Sequence, residues 1–111
     1  MKTTTKIALS SIVLALSAGV ALAAPAAENW DNLCASCHGA DGKGLTKTGK
    51  KLKLRDYTDA KVQAELKDAE MAKAITDGVK VDGKEKMKAF KEEISAAEVT
   101  DLVAYVRKFK A

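Results

Sequence analysis

The chain has 111 residues and a formal net charge of +4, from 19 lysines and arginines against 15 aspartates and glutamates. This length is enough for one small domain. So weak a basic excess excludes most nucleic-acid-binding proteins, in which lysine and arginine clearly dominate.

The start of the chain has the pattern of a secretory signal peptide. Lys2 and Lys6 give a basic beginning, residues 7–22 are apolar or small, and A-L-A follows at 21–23. The apolar run is short for a membrane span, and no charged stop-transfer cluster follows it. We therefore predict cleavage after Ala23, export to the periplasm, and no stable membrane insertion of a single mature domain, residues 24–111. An uncleaved anchor is the alternative interpretation.

The mature domain is predicted to be all-α. Short helices are expected over residues 26–35 and 62–66, a longer one over 69–77 that Gly78 ends, and a last one that opens with S-A-A-E at 95–98. That last pattern is a capping box, in which a serine and a glutamate satisfy the free amides of the first helical turn. Strand signals are weak, so no sheet is predicted.

Two long loops separate these helices, at about 39–56 and 79–93. A compact domain rarely keeps long connections of this kind unless they have a function. A domain this small also often needs a disulfide, a metal or a cofactor for stability. We therefore predict that a large buried cofactor fills the space between the two loops.

Both cysteines and the only histidine lie in one five-residue segment, C-A-S-C-H at 34–38. C-x-x-C-H is the attachment signature of c-type haem. One helical turn places the two thiols on the same side, so that each adds to one vinyl group of the haem. We predict that Cys34 and Cys37 hold haem c covalently and that His38 binds the iron. The other ring nitrogen of His38 is expected to donate to a backbone carbonyl.

Other interpretations of this segment are weaker. A thioredoxin-like redox pair requires βαβ units, which the sequence does not indicate. A structural zinc site needs four protein ligands, and two cysteines with one histidine fall short of that number. A chance occurrence of the motif remains as the third possibility.

The segment C-A-S-C-H-G-A-D-G-K-G resembles the haem-binding segment of small bacterial class I cytochromes c. The later segments A-I-T-D-G, K-M-K-A-F, S-A-A-E and L-V-A-Y-V-R resemble that family in content and order. The resemblance covers essentially the whole mature chain. It implies a cytochrome c fold, with about four helices around one covalently attached haem, and no enzymatic activity.

The resemblance also implies the second iron ligand and the function. Met87 falls where the family has its axial methionine, whereas Met71 falls within a predicted helix and is expected to be a core or surface-edge side chain. Trp30 and Tyr105 are expected at the crossing of the first and last helices. A protein of this kind is a soluble one-electron carrier that shuttles electrons between periplasmic or membrane redox proteins. The alternative is a haem-based sensor or small-ligand-binding protein with an open or displaceable sixth site.

Two further groups of residues are expected around the haem. Apolar walls are predicted from Leu45, Leu52, Leu54, Tyr57, Ile75, Val79, Phe90, Leu102 and Val106. Basic residues crowd the two long loops, at Lys43, Lys47, Lys50, Lys51, Lys53 and Arg55, and at Lys80, Lys84, Lys86, Lys88 and Lys91. A basic rim of this kind favours redox partners with acidic docking patches.

Overall fold

The structure is a computed structural model that describes residues 23–110. The predicted signal peptide lies outside the described residues except for Ala23. Six α-helical segments, one π turn and one two-stranded sheet are found in the described part of the chain. No helix within residues 23–110 is both long enough and apolar enough to cross a membrane.

The first helix is continuous but changes its winding in the middle. It consists of α1 (Ala26–Asn29), a π turn (Trp30–Cys34) and α2 (Ala35–His38). In the π turn the Ala35 N–H donates to the Trp30 carbonyl, five residues earlier. Such wide turns are rare and are found mostly at functional sites. The predicted helix at 26–35 is confirmed in position, although it extends further, to His38.

Helix α3 (Lys47–Leu52) lies within a segment that was predicted to be a loop. Its N-cap is Thr46, whose hydroxyl accepts from the Gly49 N–H at 2.9 Å. The capping threonine satisfies a free amide of the first turn. The cap stabilises a helix that its internal glycine, Gly49, disfavours. The prediction of an unstructured first loop is therefore wrong for these six residues.

Helices α4 (Ala60–Glu65) and α5 (Asp68–Asp77) form the next layer. Asp59 is the N-cap of α4, because its carboxylate accepts from the Lys61 N–H at 2.8 Å. Helix α5 follows after only two residues and ends at Gly78, which has a φ of +75°. With α6, described below, the domain has five helices when the continuous first helix is counted once, rather than the four that were predicted.

The second predicted loop contains an antiparallel hairpin, of β1 (Val79–Val81) and β2 (Lys84–Met87). Asp82 and Gly83 form its turn, with φ values of +52° and +75°. Asp-Gly is a favoured pair for a two-residue hairpin turn, because both positions require positive φ. The prediction that the domain contains no sheet is therefore wrong, although this turn signal is present in the sequence.

Helix α6 (Ala96–Arg107) closes the domain and packs against α1 and α5. The predicted capping box is confirmed: Ser95 and Glu98 each accept from the other's backbone N–H. Its apolar face lies at the centre of one core, which is formed by Trp30, Cys34, Met71, Ile75, Phe90, Ile94, Val99, Leu102, Val103 and Val106. The mostly helical architecture confirms the predicted all-α class with one small sheet added.

Candidate haem site

One cavity of about 620 Å³ contacts all four residues that were predicted to bind haem: Cys34, Cys37, His38 and Met87. Its volume lies within the roughly 300–1,000 Å³ that is usual for ligand and cofactor sites. The first helix provides one wall and the hairpin provides another. Folding therefore brings Met87 to the same space as a motif about fifty residues earlier in the chain.

The two cysteines are free thiols at the end of the first helix. Cys34 is buried and Cys37 is half-buried. Burial, and to a smaller extent the neighbouring Cys37, raise the pKa of the Cys34 thiol to about 11. Cys34 is therefore a neutral thiol at neutral pH, and the cavity requires no buried negative charge at this position.

His38 is the last residue of α2, and its imidazole lies on the wall of the cavity. Burial lowers the pKa of this side chain, because the charged imidazolium loses its hydration. The neutral ring keeps a free nitrogen lone pair, which is the form that binds iron. Tyr57 stacks on the imidazole, with ring centroids 5.3 Å apart and an angle of 24° between the planes.

Met87 is the last residue of strand β2 and is half-buried. It pairs with Val79 across the hairpin, but a register shift follows this pair and leaves Lys86 without a partner. A β-bulge of this type bends the strand and changes the direction of the adjacent side chains. Met87 also contacts a second cavity of about 160 Å³, which shares Cys34, His38 and Tyr57 with the larger one.

Met71 has a different position from Met87. It is buried in the core, as predicted, and contacts only the smaller of the two cavities. Among residues 23–110, Met87 is therefore the single methionine on the wall of the larger cavity, which contacts both cysteines.

Most of the predicted apolar wall is found around the two cavities. Leu52, Leu54, Tyr57, Val79 and Phe90 contact the larger one, and Ile75, Leu102 and Val106 contact the smaller one. Leu45 is an error of the prediction, because 63% of its surface is exposed and it contacts neither cavity.

Sequence reasoning missed two residues that support the motif. The Thr46 hydroxyl donates to the Cys37 carbonyl at 2.6 Å, besides capping α3. Gly49 lies so close to the motif that an added Cβ would be 2.7 Å from the Cys37 carbonyl oxygen and 2.3 Å from that of Gly44. A small residue after a capping threonine was the available signal, but only the structure shows what lies opposite it.

The first helix is also connected to the last one. Trp30 is only 2% exposed, lies 5.6 Å from the Tyr105 ring, and donates from Nε1 to the Gly39 carbonyl at 3.0 Å. The contact with Tyr105 confirms the predicted crossing. Asn29 adds a hydrogen bond from Nδ2 to a Glu98 carboxylate oxygen at 2.7 Å.

This arrangement agrees with sequence comparison. The family described as "Cytochrome C oxidase, cbb3-type, subunit III" matches residues 21–106. The chain belongs to this family of c-type cytochromes.

Solved structures support the same conclusion. The KustC0563 c-type cytochrome is 34% identical, with a TM-score of 0.70 over 79% of this chain and 100% of the other. A tyrosine-to-phenylalanine mutant of Kustc0563 is also 34% identical, with a TM-score of 0.68 over 78% of this chain and 100% of the other. A search of curated proteins gives no match. The predicted resemblance to small class I c-type cytochromes is therefore confirmed.

Membership of the family has direct consequences for this cytochrome. Haem c with its iron is the cofactor, and electron transfer is the general function of such proteins. Proteins of this type usually work outside the cytoplasm. The site fits a haem chemically, because it combines an apolar cavity, a neutral imidazole, a thioether and two free thiols.

Proposed function

We propose that this cytochrome is a soluble one-electron carrier in which Cys34 and Cys37 hold haem c through thioether bonds. His38 and Met87 would hold the iron of this haem. The observation that carries the proposal is that these four side chains contact one apolar cavity. The bound haem supplies the chemistry, a one-electron exchange between ferric and ferrous iron.

The protein side chains determine how easily the iron accepts the electron. A thioether on one side, in place of a second imidazole, favours the ferrous state and raises the reduction potential. The apolar residues around the cavity also exclude water. Because burial away from water disfavours charge, they favour the ferrous haem, which carries less charge than the ferric haem. With both His38 and Met87 as ligands, the iron would have no free position for oxygen or peroxide, which favours electron transfer over catalysis.

Charge around the cavity supports a proposal about the redox partners. Among the charged side chains that contact the larger cavity, Lys53, Arg55, Lys86 and Lys88 are basic and Glu93 alone is acidic. Opposite charge attracts a partner and accelerates a brief, weak encounter. We expect donors and acceptors with acidic docking patches, and no binding to nucleic acid.

The proposed compartment is the periplasm. This assignment depends on the signal-peptide pattern of residues 1–23. Haem attachment there would require Cys34 and Cys37 to be free thiols. The carrier is proposed to connect periplasmic or membrane redox proteins there.

Optical spectra of the haem-loaded protein test the proposal. We expect the wild type to show low-spin ferrous bands and the weak far-red ferric band of sulfur ligation, and to ignore carbon monoxide. Met87→Ala should lose the far-red band and bind the gas. Met71→Leu is the matched control, because Met71 contacts only the smaller cavity, and it should behave as the wild type does.

A different result would favour the other function. If the wild type lacks the far-red band and binds carbon monoxide readily, the sixth position is open. The protein would then be a haem-based sensor or a small-ligand-binding protein. Loss of the band in Met71→Leu rather than in Met87→Ala would show that Met71 is the iron ligand.

A further inference from the structure

The imidazole of His38 lacks the hydrogen bond that would normally fix its orientation. Its Nδ1 atom is buried and has no partner among residues 23–110. The sequence had predicted a backbone carbonyl as the acceptor. A histidine that binds metal almost always has such a second partner, and none is found for Nδ1 within residues 23–110.

Two aromatic rings contact the imidazole. The Tyr57 ring is stacked on it, 5.3 Å away at an angle of 24°, and the Trp30 ring is tilted against it, 5.7 Å away at 40°. Tyr57 is the better placed of the two, because its plane is nearly parallel to the imidazole. Trp30 already has a structural function at the helix crossing, where it contacts Tyr105 and Phe109.

Two hydrogen bonds hold the backbone of Tyr57 in place. Its N–H donates to the Gly42 carbonyl at 2.9 Å, and its carbonyl accepts from Gln63 Nε2 at 2.7 Å. The same Gln63 amide donates to the Val106 carbonyl at 2.9 Å. The backbone of Tyr57 is therefore tied to the loop after the haem motif and to helix α6, which holds this residue beside His38.

We infer that Tyr57 is a positioning residue for His38, whose imidazole plane it sets by stacking rather than by hydrogen bonding. The inference rests on the proposed role of His38 as an iron ligand. A favourable aromatic pair gives roughly a two- to tenfold preference for the stacked orientation. That preference is enough to keep one orientation dominant, and its loss should leave a mixture.

Electron paramagnetic resonance of the ferric, haem-loaded protein tests this inference, because the signal of low-spin iron depends on the plane of the axial imidazole. Wild type and Tyr57→Phe should give the same single, narrow set of signals, since both keep the ring. Tyr57→Leu should broaden or split that set. Tyr105→Leu is the matched control: it also removes a tyrosine that contacts Trp30, but not one that contacts His38, and it should leave the signals unchanged.

The contrary results are distinct. An unchanged signal in Tyr57→Leu overturns the inference, and so does a change in Tyr57→Phe as large as that in Tyr57→Leu, because the hydroxyl would then be responsible. Absence of low-spin haem from the wild type overturns the proposed function and the inference together. A normal wild-type spectrum with an insensitive Tyr57→Leu overturns the inference alone.

A second measurement needs no variant and therefore does not depend on folding. In the ferrous wild-type protein, nuclear magnetic resonance should detect close contacts between the ring protons of Tyr57 and His38. The Nδ1 proton of His38 should lack the strong downfield shift that a hydrogen bond to a carbonyl produces. A downfield, slowly exchanging Nδ1 proton would overturn the inference, because a hydrogen bond would then orient the ring.

Discussion

The carboxylate of Glu98 connects the start of α6 with the first helix of this cytochrome. One carboxylate oxygen accepts from the Ser95 N–H at 3.2 Å and completes the capping box of α6, whereas the other accepts from Asn29 in α1. The hydrogen bond from Asn29 is the main reason that the pKa of Glu98 lies below its usual value, and the Ser95 amide adds to it. The same carboxylate therefore stabilises a helix end and the crossing of the first and last helices.

The lowered pKa predicts how stability depends on pH. A carboxylate whose pKa is lower in the folded state stabilises the fold above its unfolded pKa, about 4.5 for glutamate. That contribution is lost as the pH falls through the folded pKa. We expect the wild type to exceed Glu98→Gln in the free energy of unfolding at neutral pH, and the difference to disappear as the pH falls below 4.5.

Chemical denaturation at a series of pH values measures this difference. Glu92→Gln is the matched control, because it neutralises an exposed glutamate in the turn before α6. Its curve should stay parallel to that of the wild type. A constant gap between Glu98→Gln and the wild type at all pH values would contradict the prediction.

Among the structural elements, α3 and the hairpin were the ones that the sequence did not predict. Each depends on a local turn signal, Thr46 as a cap and Asp82-Gly83 as a turn, in a segment with no apolar periodicity. Periodicity reports burial of one face against a protein core. These two elements border the haem cavity instead, so their sequences lack a regular apolar face.

The longer helices and the site were predictable for the opposite reason. Helix α6 has an apolar face and a capping box, and both are visible as spacing along the chain. Cys34, Cys37 and His38 were predictable because the C-x-x-C-H signature places all three within five consecutive residues. Met87 was identified only through the family resemblance, and the missing partner of His38 Nδ1 depends on atomic geometry that no sequence pattern reports.

Gly49 allows a test of the close packing between α3 and the haem motif. Gly49→Ala should lower the free energy of unfolding by about 1–3 kcal/mol, because the new methyl group overlaps the carbonyls of Gly44 and Cys37. Gly83→Asn is the comparison: Gly83 has positive φ but open space around it, and asparagine tolerates that conformation. It should change stability by no more than about 0.5 kcal/mol.

Thermal or denaturant unfolding of the two haem-loaded variants gives the result. A loss in Gly49→Ala no larger than that in Gly83→Asn would contradict the prediction, because the contacts with the Gly44 and Cys37 carbonyls would then carry no cost. A neutral Gly49→Ala would mean that α3 moves away without penalty.

For the whole molecule, the important feature is the unequal distribution of charge. All eleven basic residues predicted in the two loops are exposed in the structure, and four of them contact the larger cavity. The net charge of the protein is small, so an incoming partner responds to this local excess rather than to the total. The four that contact the cavity give a local basic surface beside the candidate haem site.

Reversal of charge on this face should slow electron transfer to an anion. We expect Lys53→Glu/Lys86→Glu to react with ferricyanide roughly tenfold more slowly than the wild type at low ionic strength. The control Lys61→Glu/Lys73→Glu makes the same change in net charge on α4 and α5, away from both cavities, and should react nearly as the wild type does.

Stopped-flow kinetics at several salt concentrations checks the prediction. The difference should largely vanish at about 1 M salt, where the screening length falls to about 3 Å. Equal slowing in both double variants would contradict it, because total charge would then control the rate. The far-red ferric band must be intact in each variant, since Lys86 is next to Met87.

The hairpin that carries Met87 is closely packed at its base and open at its tip. Its base is fixed, because an added Cβ on Gly78 would lie 2.6 Å from the Met87 carbonyl oxygen and the Phe90 N–H donates to the Ile75 carbonyl at 2.9 Å. Its tip is open, because no other atom lies within 4 Å of the position that a Cβ on Gly83 would take. We therefore expect that insertions between Asp82 and Gly83 lengthen the arm without moving Met87. With Met87 as the proposed iron ligand, a new recognition element could be added at this tip while the ligand keeps its place.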